Sequence, residues 1–145
     1  MARRALFGKL VALDARRRAL LAYGCGWVLV AKAALAAPGA SLLQRQRWLD
    51  RLAARLPASP PCTSAEAAWA ITAVARRIPG TRCLAWALAL RGLLAQVGVA
   101  SELRIGVASD GPGAIRAHAW VESADATWSW GVTDGYEVLR RASAA

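Results

Sequence analysis

The chain has 145 residues, which suits one domain with a modest core, and 57% of them are hydrophobic, which excludes a disordered chain. The net charge of +10 is carried almost entirely by arginine and favours either an acidic partner or an arginine-rich solvated surface. An odd cysteine count with no CxxC pair, together with a single histidine, argues against a disulfide scaffold and a tetrahedral zinc site. We therefore predict no metal and no cofactor.

Residues 4–55 are predicted to be helical. The short apolar stretches at the start are interrupted by charges and are not typical of a signal peptide. Residues 19–31 form an apolar run of about 13 residues, shorter than the roughly 20 that a helix needs to span a bilayer, which favours a buried helix. We expect a cytoplasmic protein with no transmembrane segment.

A proline-rich stretch at residues 57–61 divides the chain. We predict a helical N-terminal segment over residues 1–61 and a second unit over residues 62–145. In the helix before this stretch, the apolar residues form a stripe on one side and several arginines lie largely on the other. Two interpretations of these arginines stay open: a solvated face, or a binding site for an acidic partner. These arginines are at positions 45, 47, 51 and 55.

Two further helices are predicted after the prolines. Thr63 and Glu66 have the spacing of a capping box, which predicts a helix over residues 64–77. The next helix is predicted to begin at Cys83 and to stop at Gly98, because glycine adopts the left-handed conformation that ends many helices.

The last third of the chain alternates in the manner of strands. The order of elements predicts an α+β fold, with N-terminal helices followed by a Cys-bearing helix packed on a small antiparallel sheet. Strands separated by turn signals are predicted at residues 101–107, 116–122 and 127–130.

Cys83 and His118 are the residues with the clearest chemical potential. The thiolate is the reactive form of cysteine, and a helix start beside Arg82 stabilises an anion. A cysteine nucleophile needs a base, and His118 is the only histidine. Buried cysteines are mostly inert, so spacing alone leaves a purely structural role open. Cys25 and Cys62 are weaker candidates, one in an apolar helix and the other in the proline-rich linker.

Two stretches resemble the transglutaminase-like superfamily and, within it, the lasso-peptide B proteins, the leader peptidases that include the microcin J25 processing type. They are IPGTRCLAWALALRGLLAQVGVASELRIGV and RAHAWVE. The resemblance covers about residues 63–140. It implies a transglutaminase/papain-like core.

The resemblance implies a Cys–His–Asp triad, in which Cys83 and His118 match the first two members. In the family, the acid lies on the strand after the histidine strand. A tight turn at residues 123–126 would place Trp130 across from His118, and tryptophan cannot serve as the acid. We therefore predict that Asp134 is the third member. Two other acids are worse placed, on the histidine strand itself or in the turn: Glu122 and Asp125.

The implied function is a cysteine peptidase that removes the leader from a lasso-peptide precursor. Implied partners are that precursor, a separate leader-recognition protein and an asparagine-synthetase-like cyclase that closes the lactam with ATP.

Two alternatives stay open. One is a transglutaminase-like amidase or acyltransferase acting on another substrate. The other is a non-catalytic basic module that binds peptide or RNA. We expect no nucleic-acid partner, because the arginines occupy predicted helices without nearby aromatic residues.

Overall fold

The computed structural model describes residues 13–139, where helices come first and a small sheet follows. The helices are α1 (Ala15–Ala36), α2 (Leu42–Arg55), α3 (Ser64–Ala75) and α4 (Cys83–Gln96). The strands are β1 (Ser101–Ser109), β2 (Ile115–Ser123), β3 (Thr127–Ser129) and β4 (Glu137–Val138). The predicted α+β fold is confirmed.

Asp14 caps the start of helix α1, because its carboxylate accepts a hydrogen bond from the Arg17 backbone N–H at 2.8 Å. The helix is longer than the apolar run at residues 19–31, because alanine-rich sequence continues the helix past Lys32. The part of the predicted helical region before residue 13 lies outside the described residues.

By length and composition, α1 alone among the helices within residues 13–139 could cross a membrane. Core helices of soluble proteins and N-terminal signal sequences can have the same length and apolar composition. Within its most apolar 18-residue window, 33% of the residues are buried inside the fold. The buried face comprises Leu20, Gly24, Trp27, Val28, Ala31 and Ala34.

Capping boxes begin both α2 and α3. The predicted box at Thr63 is confirmed, since its hydroxyl accepts from the Glu66 N–H at 3.2 Å and the Glu66 carboxylate accepts from the Thr63 N–H at 2.9 Å. Helix α3 ends at Ala75, slightly before the predicted end at Arg77.

Helix α4 begins at Cys83 as predicted. Its C-terminal stop is confirmed, because Gly98 has a φ of +83° and the Val99 N–H donates back to the Leu94 carbonyl at 2.8 Å. Most of α4 is buried between the other helices and the sheet, which makes it the central element of the core.

The sheet is antiparallel with strand order β3-β2-β1-β4, and α4 packs against β2. The three predicted strands are confirmed. Strand β4 was not predicted. It has only two residues, too few for an alternating pattern, and it forms because the folded chain brings them beside β1. Strand β3 lies at one edge of the sheet, so its outer backbone groups have no strand partner there.

The register of the β2–β3 hairpin differs by one residue from the predicted one. The Ser123 N–H donates to the Ala126 carbonyl at 2.8 Å, and Trp120 is paired with Ser129. If the same register is extended beyond the end of β3, Gly131 and not Trp130 lies across from His118. The prediction was wrong because a one-residue shift in a hairpin cannot be seen in the strand pattern alone.

Residues on both sides of the predicted boundary at residue 61 share one core. Helix α1 packs against α3 and α4, and α2 packs against α4. Trp27 of α1 lies over Gly92 of α4, and its indole N–H donates to Gln96 at 2.9 Å. The N-terminal helices therefore help to hold the Cys83 helix in place.

Candidate functional site

Cys83 is the first residue of α4, and its side chain is partly buried against the core. Arg82, which precedes it, makes no side-chain capping hydrogen bond. The other helices within residues 13–139 are each capped, by Asp14, Ser41 and Thr63. The first-turn N–H groups of α4 therefore have no side-chain acceptor, and with the helix dipole they stabilise an anion beside Cys83.

The turn before Cys83 is fixed by a glycine and by α1. Gly80 has a φ of +72°, a conformation that favours glycine after Pro79 in a tight turn. The Lys32 ammonium of α1 donates to the Pro79 carbonyl at 2.8 Å. The direction from which the chain enters α4 is thus set by a contact across the fold.

His118 lies on β2, on the face of the sheet opposite to α4. Its neighbours Ala119 and Val121 pack in the core, and side chains alternate along a strand. On the outer face, Trp120 stacks on the imidazole with ring centroids 6.2 Å apart at 25°. Tyr136 covers it with centroids 5.4 Å apart at 39°.

Burial of the ring affects the protonation of His118. Burial lowers the pKa of the imidazole below its usual value of about 6.5, because the aromatic surroundings disfavour the charged form. The imidazole is therefore neutral near pH 7 and can accept a proton. This suits a base that removes the thiol proton during attack better than a resting thiolate–imidazolium pair.

Gly106 of β1 makes room for the two rings. It is paired with His118, and a Cβ atom placed on it would lie 2.8 Å from the Trp120 ring and 2.9 Å from the Tyr136 Cβ. Sequence reasoning did not identify Gly106 or Tyr136. A glycine inside the alternating strand was the available signal, since such a residue commonly marks a close approach.

Ser129 holds the imidazole. Its Oγ lies 2.8 Å from His118 Nε2 and also accepts a hydrogen bond from the Gly131 N–H at 3.2 Å. The same oxygen can accept a second hydrogen bond from an Nε2–H, and that tautomer of the neutral ring leaves Nδ1 unprotonated and able to take a proton. Sequence reasoning missed Ser129, because a serine in a short strand carries no distinguishing pattern and its position depends on the register.

Asp134 is not placed where the sequence predicted. It lies in the exposed turn after β3, and the hydrogen bond expected between its carboxylate and His118 is not present. Within residues 13–139, the imidazole is hydrogen-bonded to Ser129 alone. A catalytic role for Asp134 stays a prediction that no contact supports.

The other two acids have partners elsewhere. Glu122 accepts from the Trp120 indole N–H at 3.0 Å and pairs with Arg104 at 2.8 Å, and these hydrogen bonds lower the pKa of its carboxyl. Asp125 accepts from the Ser123 hydroxyl at 3.0 Å in the turn. Neither is hydrogen-bonded to the imidazole.

An aromatic contact connects the Cys83 helix with the strand beside the imidazole. Trp86 follows Cys83 by one helical turn and packs edge-on against Trp130, with centroids 6.3 Å apart at 79°. The residues on either side of Trp130 lie against the imidazole: Ser129 by its hydrogen bond, and Gly131, whose Cβ position is 3.8 Å from Cε1. Within the described residues, however, no hydrogen bond joins the Cys83 sulfur to the imidazole.

The remaining cysteines differ from Cys83 in position. Cys25 is in the middle of α1. Cys62 precedes α3, and its pKa is raised by burial and by the nearby charge of Glu66, which disfavour the reactive thiolate. Within residues 13–139, no three His, Cys, Asp or Glu side chains converge in a metal-binding arrangement.

Comparison with known proteins identifies one family. Residues 11–141 match the family described as Transglutaminase-like superfamily. No curated protein and no solved structure matches the chain. The family match begins well before residue 61 and therefore includes the helices that pack around α4.

Proposed function

The chain belongs to the transglutaminase-like superfamily, and we propose that it is a cysteine peptidase that removes the leader from a lasso-peptide precursor. Family membership supports a cysteine-peptidase-like or acyltransferase-like fold. The sequences around Cys83 and His118, IPGTRC and AHAWVE, support the finer assignment through their resemblance to lasso-peptide B proteins. The observation that carries the proposal is the start of α4 at Cys83, where no side chain caps the helix.

The first half of the reaction forms a thioester. Attack requires the Cys83 thiol and the His118 imidazole to come within hydrogen-bond reach. Because His118 lies on the face of the sheet opposite to α4, the proposed reaction requires the imidazole to turn towards Cys83 when substrate binds. The imidazole takes the thiol proton while sulfur attacks the peptide carbonyl carbon, and first-turn N–H groups of α4 receive the oxyanion. The C–N bond then breaks, and the departing amine takes the proton from the imidazolium.

The second half releases the leader. Water gives a proton to His118 and its oxygen attacks the thioester, the C–S bond breaks, and the leader leaves with a new carboxylate while Cys83 regains its proton. The freed amino terminus of the core peptide goes to the asparagine-synthetase-like cyclase. Asp134 stays the proposed orienting acid from family resemblance, whereas Ser129 is the residue that the imidazole contacts.

An amine in place of water would make the same thioester into an acyltransferase intermediate. Intact-mass spectrometry of a candidate precursor separates the two reactions. We expect a leader fragment that has gained water, with or without added alkylamine. A leader fragment joined to the amine would instead identify a transferase.

We also propose that a leader-recognition protein accelerates cleavage. Adding it to the same assay should raise the rate sharply. Full-rate cleavage by this chain alone would contradict the proposal that a separate protein recognises the leader.

A further inference from the structure

A cleft of about 350 Å³ lies between α3 and the edge strand β3, beside the residues already described. Ser129, which holds the imidazole, lines it, and so does Trp86, one turn after Cys83. The cleft is also lined by Trp69, Trp128, Arg76 and Arg77.

The charge of this cleft is positive and unbalanced. Arg76 and Arg77 make no ion pair with any carboxylate within residues 13–139, and no carboxylate lines the cleft. Within residues 13–139, the Arg77 guanidinium donates only to the carbonyl of Ala73 in α3. The indole N–H of Trp128 is buried and has no acceptor in the described part of the chain. The polar side-chain groups that lack an acidic or accepting partner here are donors, so a matching ligand supplies acceptors.

The shape of the cleft suits a peptide. One wall is β3, whose outer backbone groups have no strand partner because it is an edge strand, and an extended chain can pair with such an edge. Apolar surface comes from the ring of Trp69, which is 42% exposed. A peptide laid here would run past Ser129, which is hydrogen-bonded to His118, and past Trp86, one helical turn after Cys83.

We propose that this cleft binds an acidic segment of an extended peptide substrate, with Arg76 and Arg77 as the residues that select its carboxylates. The proposal rests on the peptidase function and names a selectivity for it. Peptide is favoured over nucleic acid because the wall of the cleft offers strand pairing, which a nucleic acid cannot use.

Fluorescence anisotropy tests the cleft without any chemistry. The probes are two short Gly-Ser-Ala peptides with the same neutral coumarin label, one containing a Glu-Glu pair and the other Gln-Gln. We expect the Glu-Glu probe to bind about tenfold tighter, and Arg76→Gln/Arg77→Gln to remove the difference. Arg76→Lys/Arg77→Lys keeps both charges and should retain most of it.

The matched control is Arg47→Gln/Arg55→Gln, which removes the same charge from exposed positions of α2 that do not line the cleft. It should keep the preference for the Glu-Glu probe, with circular dichroism showing all variants folded. Equal binding of the two probes, or equal loss in the control, would overturn the cleft assignment. So would tighter binding of single-stranded RNA at the same salt that depends on Arg76 and Arg77.

The peptidase function can fail separately. Selective binding of the Glu-Glu probe by a protein that cleaves no precursor would reject the function and support the cleft. Cleavage without selective binding would reject the cleft alone.

Discussion

His118 shows how neighbouring rings set the chemistry of one side chain. Trp120 and Tyr136 exclude water from the imidazole, and burial lowers its pKa. A lowered pKa keeps the base neutral to more acidic pH. We therefore expect the acidic limb of the kcat/KM profile below pH of about 6.5, the usual histidine value.

Tyr136→Ala should move that limb upwards towards about 6.5, because the imidazole regains contact with water. Rates measured across pH for the two proteins test this. The explanation by burial fails if the limb of the unmodified protein already lies at or above the ordinary histidine value, or if it does not move.

Ser129 and Asp134 compete for the role of the imidazole's partner. Ser129→Ala removes the hydrogen bond to Nε2, and we expect kcat/KM to fall about fivefold, in line with about 1 kcal/mol for a hydrogen bond. Asp134→Asn should cost less in the arrangement seen here, although the sequence alone predicts a loss of orders of magnitude.

The two variants should be compared with one substrate, and Ser129→Ala should also shift the pH profile, since it changes the ring that titrates. Near-full activity of Ser129→Ala together with a severe loss in Asp134→Asn would restore the triad predicted from sequence.

Among single residues, the sequence could predict where Cys83 and His118 lie in the secondary structure. The helix begins at Cys83 and the strand contains His118, both as predicted. Ser129 could not be found in this way. Its contact depends on which residue of β3 faces which residue of β2, and a shift of one position exchanges the two faces.

At the scale of elements, the turn between α3 and α4 controls where Cys83 points. Gly80→Ala forces a side chain into a φ of +72° and brings it within 3.3 Å of the Lys32 ammonium. We expect a loss of about 1 kcal/mol or more in the free energy of unfolding, because alanine at positive φ is strained. Precursor cleavage should fall as well, since Cys83 is displaced.

Gly26→Ala is the matched control. Gly26 is exposed in α1 with no atom near a Cβ position, so the change should stabilise the helix by about 1 kcal/mol. Urea denaturation measures both variants. A Gly80→Ala protein as stable and active as the parent would show that the turn does not position the site.

At the scale of the whole molecule, the helices before residue 61 form one packed core with α4. Gly92→Ala would drive a methyl group into the Trp27 ring. We expect a loss of about 1–3 kcal/mol in the free energy of unfolding from this overpacking, despite the better helix propensity of alanine.

The same denaturation experiment tests it, with Gly26→Ala again as control. A single cooperative transition at lower denaturant is expected for Gly92→Ala. Unchanged stability would mean that α1 does not pack on α4 as described.

The division at residue 61 was predicted from prolines and composition, which are local signals. The contact between Trp27 and Gly92 joins positions far apart in the sequence, and no local pattern marks it. The family match over residues 11–141 includes both sides. Local patterns therefore predicted most elements, and packing across the fold determined how the N-terminal helices and the site fit together.

The central claim is that Cys83 forms the acyl intermediate. Mass spectrometry of the precursor, incubated with the leader-recognition protein and each of three variants, tests it most directly. Cys25→Ala and Cys62→Ala should cleave at close to the unmodified rate, whereas Cys83→Ala should release no leader while keeping its circular dichroism spectrum. Leader release by folded Cys83→Ala at the unmodified rate would contradict the account.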